Sequence, residues 1–176
     1  METICGRFVL DFLIESPSLG KTAFECDGKE FHNKSRDEWR DAMILGATNI
    51  NTIYRLRGSD LTYHINDVLY VIANYTPDIF SGRGVLNLKQ LASKEILHRT
   101  FNLYDTIDLI SFPENEAGDM SRIYIERHHK NIPDGKTQFW QTLYEFAVAE
   151  EGGNLDEIIN KYRSTTFNKS IQLDAE

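Results

Sequence analysis

The residues best equipped for chemistry stand together in "IERHHKNIP": Glu126, His128 and His129. Two imidazoles and a carboxylate are the donor types a divalent metal takes, and a metal held this way turns bound water into a nucleophile near neutral pH. If the three side chains converge, the chain is a metal-dependent hydrolase. A second stretch, "ESPSLGKT" from Glu15 to Thr22, follows the strand-like "RFVLDFLI" and ends like a phosphate-binding loop. Such a loop needs glycine at its first position and a helix opening at the Lys-Thr pair, so that backbone N–H groups converge on the anion. Here Glu15 takes the glycine's place and would repel phosphate, while "TAFECDGKEF" reads as β-structure. The stretch is therefore expected to be a loop linking two antiparallel strands. Cys5 and Cys26 are neither a disulfide framework nor a zinc set, and are expected as small half-buried thiols. His32, His64 and His98 fall one per element, and no G-x-S-x-G, C-x-x-C or H-E-x-x-H occurs. No cofactor and no dedicated metal site is expected.

Two short resemblances add to this. Glu126, His128, His129 and Pro133 resemble the opening of the HNH-type nucleases. That resemblance implies a water-activating histidine beside a metal, with a later Asn and His closing the site from a helix. Asn154 stands in the middle place, but no His or Cys follows His129. The second lies in "LKQLASKEI", where Leu88, Ala92 and Ile96 are spaced as in the BC box of SOCS-box proteins. It implies a helix laid in the groove of Elongin C, with leucine in a pocket and a small residue allowing close approach. "IDLISFPENE" resembles the cullin-selecting box that follows, with Phe112-Pro113 in place of Leu-Pro. Ala92 replaces the usual cysteine, and the chain continues well past Pro113, whereas a SOCS box closes its chain.

The elements that must position these residues come next. The chain has 176 residues, 41% of them hydrophobic, with a formal charge of -8, which suits one globular domain or two very small ones and a core buried without staples. An acidic balance disfavours nucleic acid as a partner, because phosphate contacts need Lys and Arg in excess. No stretch is long and apolar enough for a membrane span, and the N-terminus lacks the basic start and cleavage site of a secretory signal, so no membrane partner and an intracellular, cytoplasmic location are expected.

"GRFVLDFLI" reads as a strand, and Asp27-Gly28 between "TAFE" and "KEFH" as a hairpin turn. From Ser35 onward the pattern reads as helical. "SRDEWRDAMILGA" opens with a capping box, "HINDVLYVIANY" places Ile65, Val68, Leu69 and Ile72 on one stripe, and "TQFWQTLYEFAVAEE" gathers Trp140, Leu143, Tyr144 and Ala147. "LNLKQLASKEILHRTF" gives the clearest amphipathic helix, "NINTIYRL" and "YDTIDLIS" read as short helical pieces, and the period of "MSRIYIERHH" fits strand or helix alike. The expected fold is α+β: an N-terminal antiparallel β-hairpin or small meander, then about five to seven helices. It forms a single domain over 1–163, β-rich over 1–33 and helical over 34–163, with a polar tail over 164–176.

Lacking a complete catalytic set, the chain is expected to be a non-enzymatic protein-interaction module, an adaptor or inhibitor with a protein partner. It would act through an amphipathic helical face or the edge of the hairpin, the sharpest form being a BC-box-like ubiquitin-ligase adaptor using Leu88, Ala92 and Ile96. The alternative is a metal-dependent hydrolase or nuclease using Glu126, His128 and His129.

Overall fold

A computed structural model of the chain describes residues 2–3, 6–18, 20–28, 34–102, 107–113, 120–130 and 135–173. The class is α+β. In chain order the elements are β1 (Glu2–Thr3), β2 (Gly6–Arg7), β3 (Phe12–Ser16), β4 (Gly20–Asp27), α1 (Lys34–Ala47), β5 (Ile50–Arg57), α2 (Gly58–Tyr63), α3 (Ile65–Tyr75), a 3-10 turn (Pro77–Ile79), α4 (Gly82–Leu91), α5 (Lys94–Leu97), β6 (Ile107–Pro113), β7 (Met120–His129), α6 (Gly135–Ala149) and α7 (Leu155–Leu173). They fall into two compact units, one of Met1–Val9, Asn33–Thr48 and Pro133–Glu176, the other of Leu10–His32 and Asn49–Ile132.

The first unit is helical, with the two-residue strands β1 and β2 as its only sheet among the described residues. Its core is Trp39, Ala42 and Met43 of α1 with Trp140, Leu143 and Ala147 of α6 and Ile158 of α7. These recur at helical spacing, so one stripe of each helix is buried. Gly46 is required by packing: a Cβ there would lie 2.5 Å from the Tyr144 ring. α6 stops at Ala149, and the chain turns through Glu151, Gly152 and Gly153, all at positive φ. Asn154 then caps α7 by accepting the Glu157 N–H at 3.0 Å. The segment from residue 164, expected as a polar tail, continues α7 as helix to Leu173. Ser164, Thr165 and Thr166 each donate their hydroxyl to the carbonyl four residues back, so these side chains are satisfied inside the helix.

The second unit is built on a five-stranded sheet in the order β3-β4-β5-β7-β6. β3 and β4 form an antiparallel hairpin, so "ESPSLGKT" is the inter-strand turn expected and Lys21 sits in a strand, not at a helix start. β4 runs through to Asp27 and pairs in parallel with β5, while β7 is antiparallel to both β5 and β6. The expected return strand "KEFH" lies outside the described residues.

"NINTIYRL" and the described part of "YDTIDLIS", expected as short helical pieces, are instead the strands β5 and β6. β5 is a central strand buried on both faces from Thr52 to Leu56, so it lacks the alternation that marks a half-exposed strand. Its register places Phe24, Tyr54 and Arg127 on one face and Glu25, Arg55 and Glu126 on the other.

The first of these faces carries the apolar core, with the Arg127 guanidinium 4.1 Å from the centre of the Tyr75 ring. Phe24, Tyr54, Leu56, Ile123 and Ile125 pack with Val68, Val71, Ile72 and Tyr75 of α3. Phe24 and Tyr54 stack with centroids 5.3 Å apart, and the Tyr54 hydroxyl shares a 2.5 Å hydrogen bond with Thr76 Oγ1. Three of the four expected α3 positions hold: Val68 and Ile72 are buried and Leu69 packs partly buried against the same core, while Ile65 is 40% exposed and Val71 and Tyr75 join the stripe. Where β5 leaves the sheet for α2, the buried Asp60 carboxylate accepts the Tyr124 N–H at 2.8 Å and replaces the missing strand carbonyl.

Candidate functional site

Glu126, His128 and His129 all lie on β7, where successive side chains take opposite faces. Glu126 and His128 share a face: His128 Nε2 is 3.2 Å from Glu126 Oε1, and the Tyr124 hydroxyl donates to Glu126 Oε2 at 3.2 Å. His129 follows Arg127 on the other face, so the two imidazoles do not converge. Among the described residues no three His, Cys, Asp or Glu side chains gather as a metal would require.

Burial and the positive charge of Arg127 push His129 below the ordinary histidine range. Its folded-state value is thus below its unfolded value, and the unfolded chain takes up the proton first. Stability is expected to fall as pH drops below about 6.5, the unperturbed histidine value. In a urea titration at stepped pH, His129→Gln should flatten that slope. An unchanged slope would mean another group carries it.

The BC-box-like set fares differently from its expectation too. Leu88, Ala92 and Ile96 are all buried, with relative exposures of 8%, 9% and 0%. They do not share one helix: α4 ends at Leu91, Ala92 is extended at ψ 147°, and α5 starts at Lys94. The break is held by Asp67 of α3, whose Oδ1 accepts the Ser93 N–H at 2.7 Å. That bond diverts the backbone where propensity alone would continue the helix. Ile96 belongs to the core under the sheet. Ile96→Ala is expected to cost about 3 kcal/mol through the lost burial and the cavity left. A urea midpoint within error of wild type would return the residue to the surface.

On the polar face of the sheet, Glu25, Arg55 and Glu126 lie side by side across β4, β5 and β7, followed by Asp27, Arg57 and Tyr124. Arg55 is 5% exposed and its Nη1 lies 3.2 Å from Asp27 Oδ1. The Arg57 guanidinium sits 4.5 Å from the centre of the Tyr124 ring. Asp27, Arg57, Ser59 and Tyr124 line a cleft of about 510 Å³. With Arg55 the lining carries two guanidiniums and one carboxylate, and that carboxylate, Asp27, is paired with Arg55.

β3 exposes a run of apolar side chains. It pairs with β4 on one side, and among the described residues its other side is an edge of the sheet. Phe12, Leu13 and Ile14 are 62%, 47% and 40% exposed, three consecutive large apolar residues. Phe12 and Ile14 share the face of their partners Phe24 and Thr22, and Leu13 the opposite face with Ala23.

The backbone direction follows from one bond. The Cys26 N–H donates to the Asp11 carboxylate at 2.8 Å, so Cys26 directs its N–H toward the β3 side. Strand alternation then gives Phe24 and Thr22 the same direction. Their antiparallel partners Phe12 and Ile14 turn inward to meet them, which leaves the N–H and C=O groups of Leu13 and Glu15 facing outward. At the turn, Ser18 Oγ donates to Asp78 of the 3-10 turn and ties the hairpin down.

Cys26 is exposed near the end of this hairpin, not half buried, and Cys5 lies outside the described residues. Partial burial, then the neighbouring Asp11, Asp27 and Glu25 charges, push its thiol upward, so it stays protonated and sluggish as a nucleophile. Sequence patterning named the hairpin edge only in general terms; the usable signal was Phe12, Leu13 and Ile14 next to a tight turn. Among the described residues no helix is long and apolar enough to cross a membrane. The chain matches no family model, no curated protein and no solved structure.

Proposed function

We propose that this chain is a non-enzymatic protein-interaction module whose contact element is the open edge of β3, which takes an extended segment of a partner as an added strand. One observation carries the reading: Phe12, Leu13 and Ile14 stand exposed on an edge strand. Edge strands with unpaired backbone groups are templates for another chain, and proteins ordinarily blunt them with Lys, Pro or a bulge inside the strand. β3, "FLIES", has none of these, and its one charge is Glu15 at the far end from Phe12. Backbone bonds at Leu13 and Glu15 would supply affinity, and the apolar side chains would supply specificity. The helical-face version required Leu88, Ala92 and Ile96 at the surface, and the metal-hydrolase version required His128 and His129 on one side of β7.

Leu13→Pro tests the reading. Its outward N–H is not used by β4, so proline removes a docking donor at an edge position that tolerates it. Wild type and variant, both checked by circular dichroism, are used as bait in host lysate. Loss of a stoichiometric partner in the folded variant is expected. Retention of the same partner would sink the edge reading.

A further inference from the structure

We infer that the segment received by β3 has three consecutive apolar residues flanked on each side by Lys or Arg; this rests on the edge reading above. The exposed triplet Phe12-Leu13-Ile14 is bracketed by two exposed carboxylates, Asp11 and Glu15. Asp11, Leu13 and Glu15 alternate onto one face, so an added strand meets acid, apolar and acid there, and apolar residues opposite Phe12 and Ile14 on the other. Lys21 lies across the hairpin, 3.9 Å from Glu15, and offsets part of that charge from the inner side. The Glu15 side chain still keeps 73% of its exposure, and the Asp11 carboxylate accepts the neutral Cys26 N–H. The order acid, three apolar, acid reads the same in both directions. A parallel and an antiparallel guest therefore need the same pattern.

The same charges act against a second copy of this chain. The antiparallel pairing that sets the two apolar triplets opposite each other is centred on Leu13. It places Asp11 of each copy against Glu15 of the other, two like-charge pairs at directly opposed positions, which destabilise a sheet. Shifting the register by one residue to relieve this turns the apolar side chains to the wrong faces. A chain with a formal charge of -8 adds general repulsion between copies and general attraction for a basic segment.

The test uses the full chain and two fluorescent peptides with Val-Phe-Val at the centre, one flanked by Lys and the other by Glu, read by anisotropy. The Lys-flanked peptide is expected to bind about tenfold tighter at low salt, and the preference to shrink as salt is raised. In Glu15→Lys, confirmed folded by circular dichroism, the preference should largely disappear. Equal binding of both peptides, abolished by Leu13→Pro, would overturn the charge rule and leave the edge reading standing. A dimer by sedimentation that Leu13→Pro makes monomeric would put a second copy on the edge and overturn the partner assignment alone. No binding of either peptide to a monomeric wild type would overturn the inference, and partner capture unaffected by Leu13→Pro would remove the edge reading with it.

Discussion

Arg55→Met is expected to destabilise the sheet unit by about 3–5 kcal/mol, the range for removing one partner from a buried charge set. The guanidinium is 5% exposed on a central strand. It lies opposite Glu25 on β4 and Glu126 on β7, and 3.2 Å from Asp27. Glu25 is itself 5% exposed. Methionine retains much of the arginine stem's volume, so packing is largely spared while the carboxylates lose their shared cation. The loss can be read from urea unfolding followed by far-UV circular dichroism, or from hydrogen exchange in β4, β5 and β7. Because the groups act together, adding Glu25→Gln should return part of it, a coupling of about 0.5–3 kcal/mol. Additive losses, or an Arg55→Met effect below about 1 kcal/mol as for solvated surface pairs, would mean that the row is not a buried network.

Trp140→Ala is expected to cost the helical unit about 3–5 kcal/mol, as large aromatic truncations in a core do. Trp140 is 7% exposed, its ring centroid is 6.2 Å from that of Trp39, and its Nε1 donates to Glu38 Oε2 at 2.6 Å. Alanine leaves a cavity between α1 and α6 and removes the Glu38 partner. Trp140→Phe separates the two effects, keeping a ring but losing a charge-assisted bond worth about 1.5–3 kcal/mol. Both tryptophans of the chain, Trp39 and Trp140, belong to this unit. Tryptophan fluorescence therefore follows the helical unit alone, and in Trp140→Ala the remaining Trp39 should shift to the red at lower urea than in wild type. An unchanged midpoint would place Trp140 outside the core.

The amphipathic helices were legible because their physics is local. A buried stripe repeats every three to four residues wherever a helix lies on a core, and α1, α3 and α6 follow that period. Caps are local as well, as Asn154 before α7 illustrates. The strands β5 and β6 were not legible. β5 is buried on both faces, so it shows no alternation, and its paired Arg55 even breaks the apolar run. The Leu88, Ala92 and Ile96 spacing failed for a related reason. Sequence spacing presumed a continuous helix, whereas a carboxylate from another helix, Asp67, holds the backbone out of helical geometry at Ser93.

The sequence by itself determined the α+β class, the stripes of the principal helices, the turn between β3 and β4, and the absence of a glycine-led phosphate loop. Each depends on residues close together in the chain. Only the tertiary structure decided which strands are neighbours, and those pairings join positions far apart in sequence. They put His128 and His129 on opposite faces, set Arg55 among three carboxylates, and left β3 at the edge with Leu13 and Glu15 facing out. An edge is the lack of a neighbour, and no short stretch of sequence records which neighbours a strand will have.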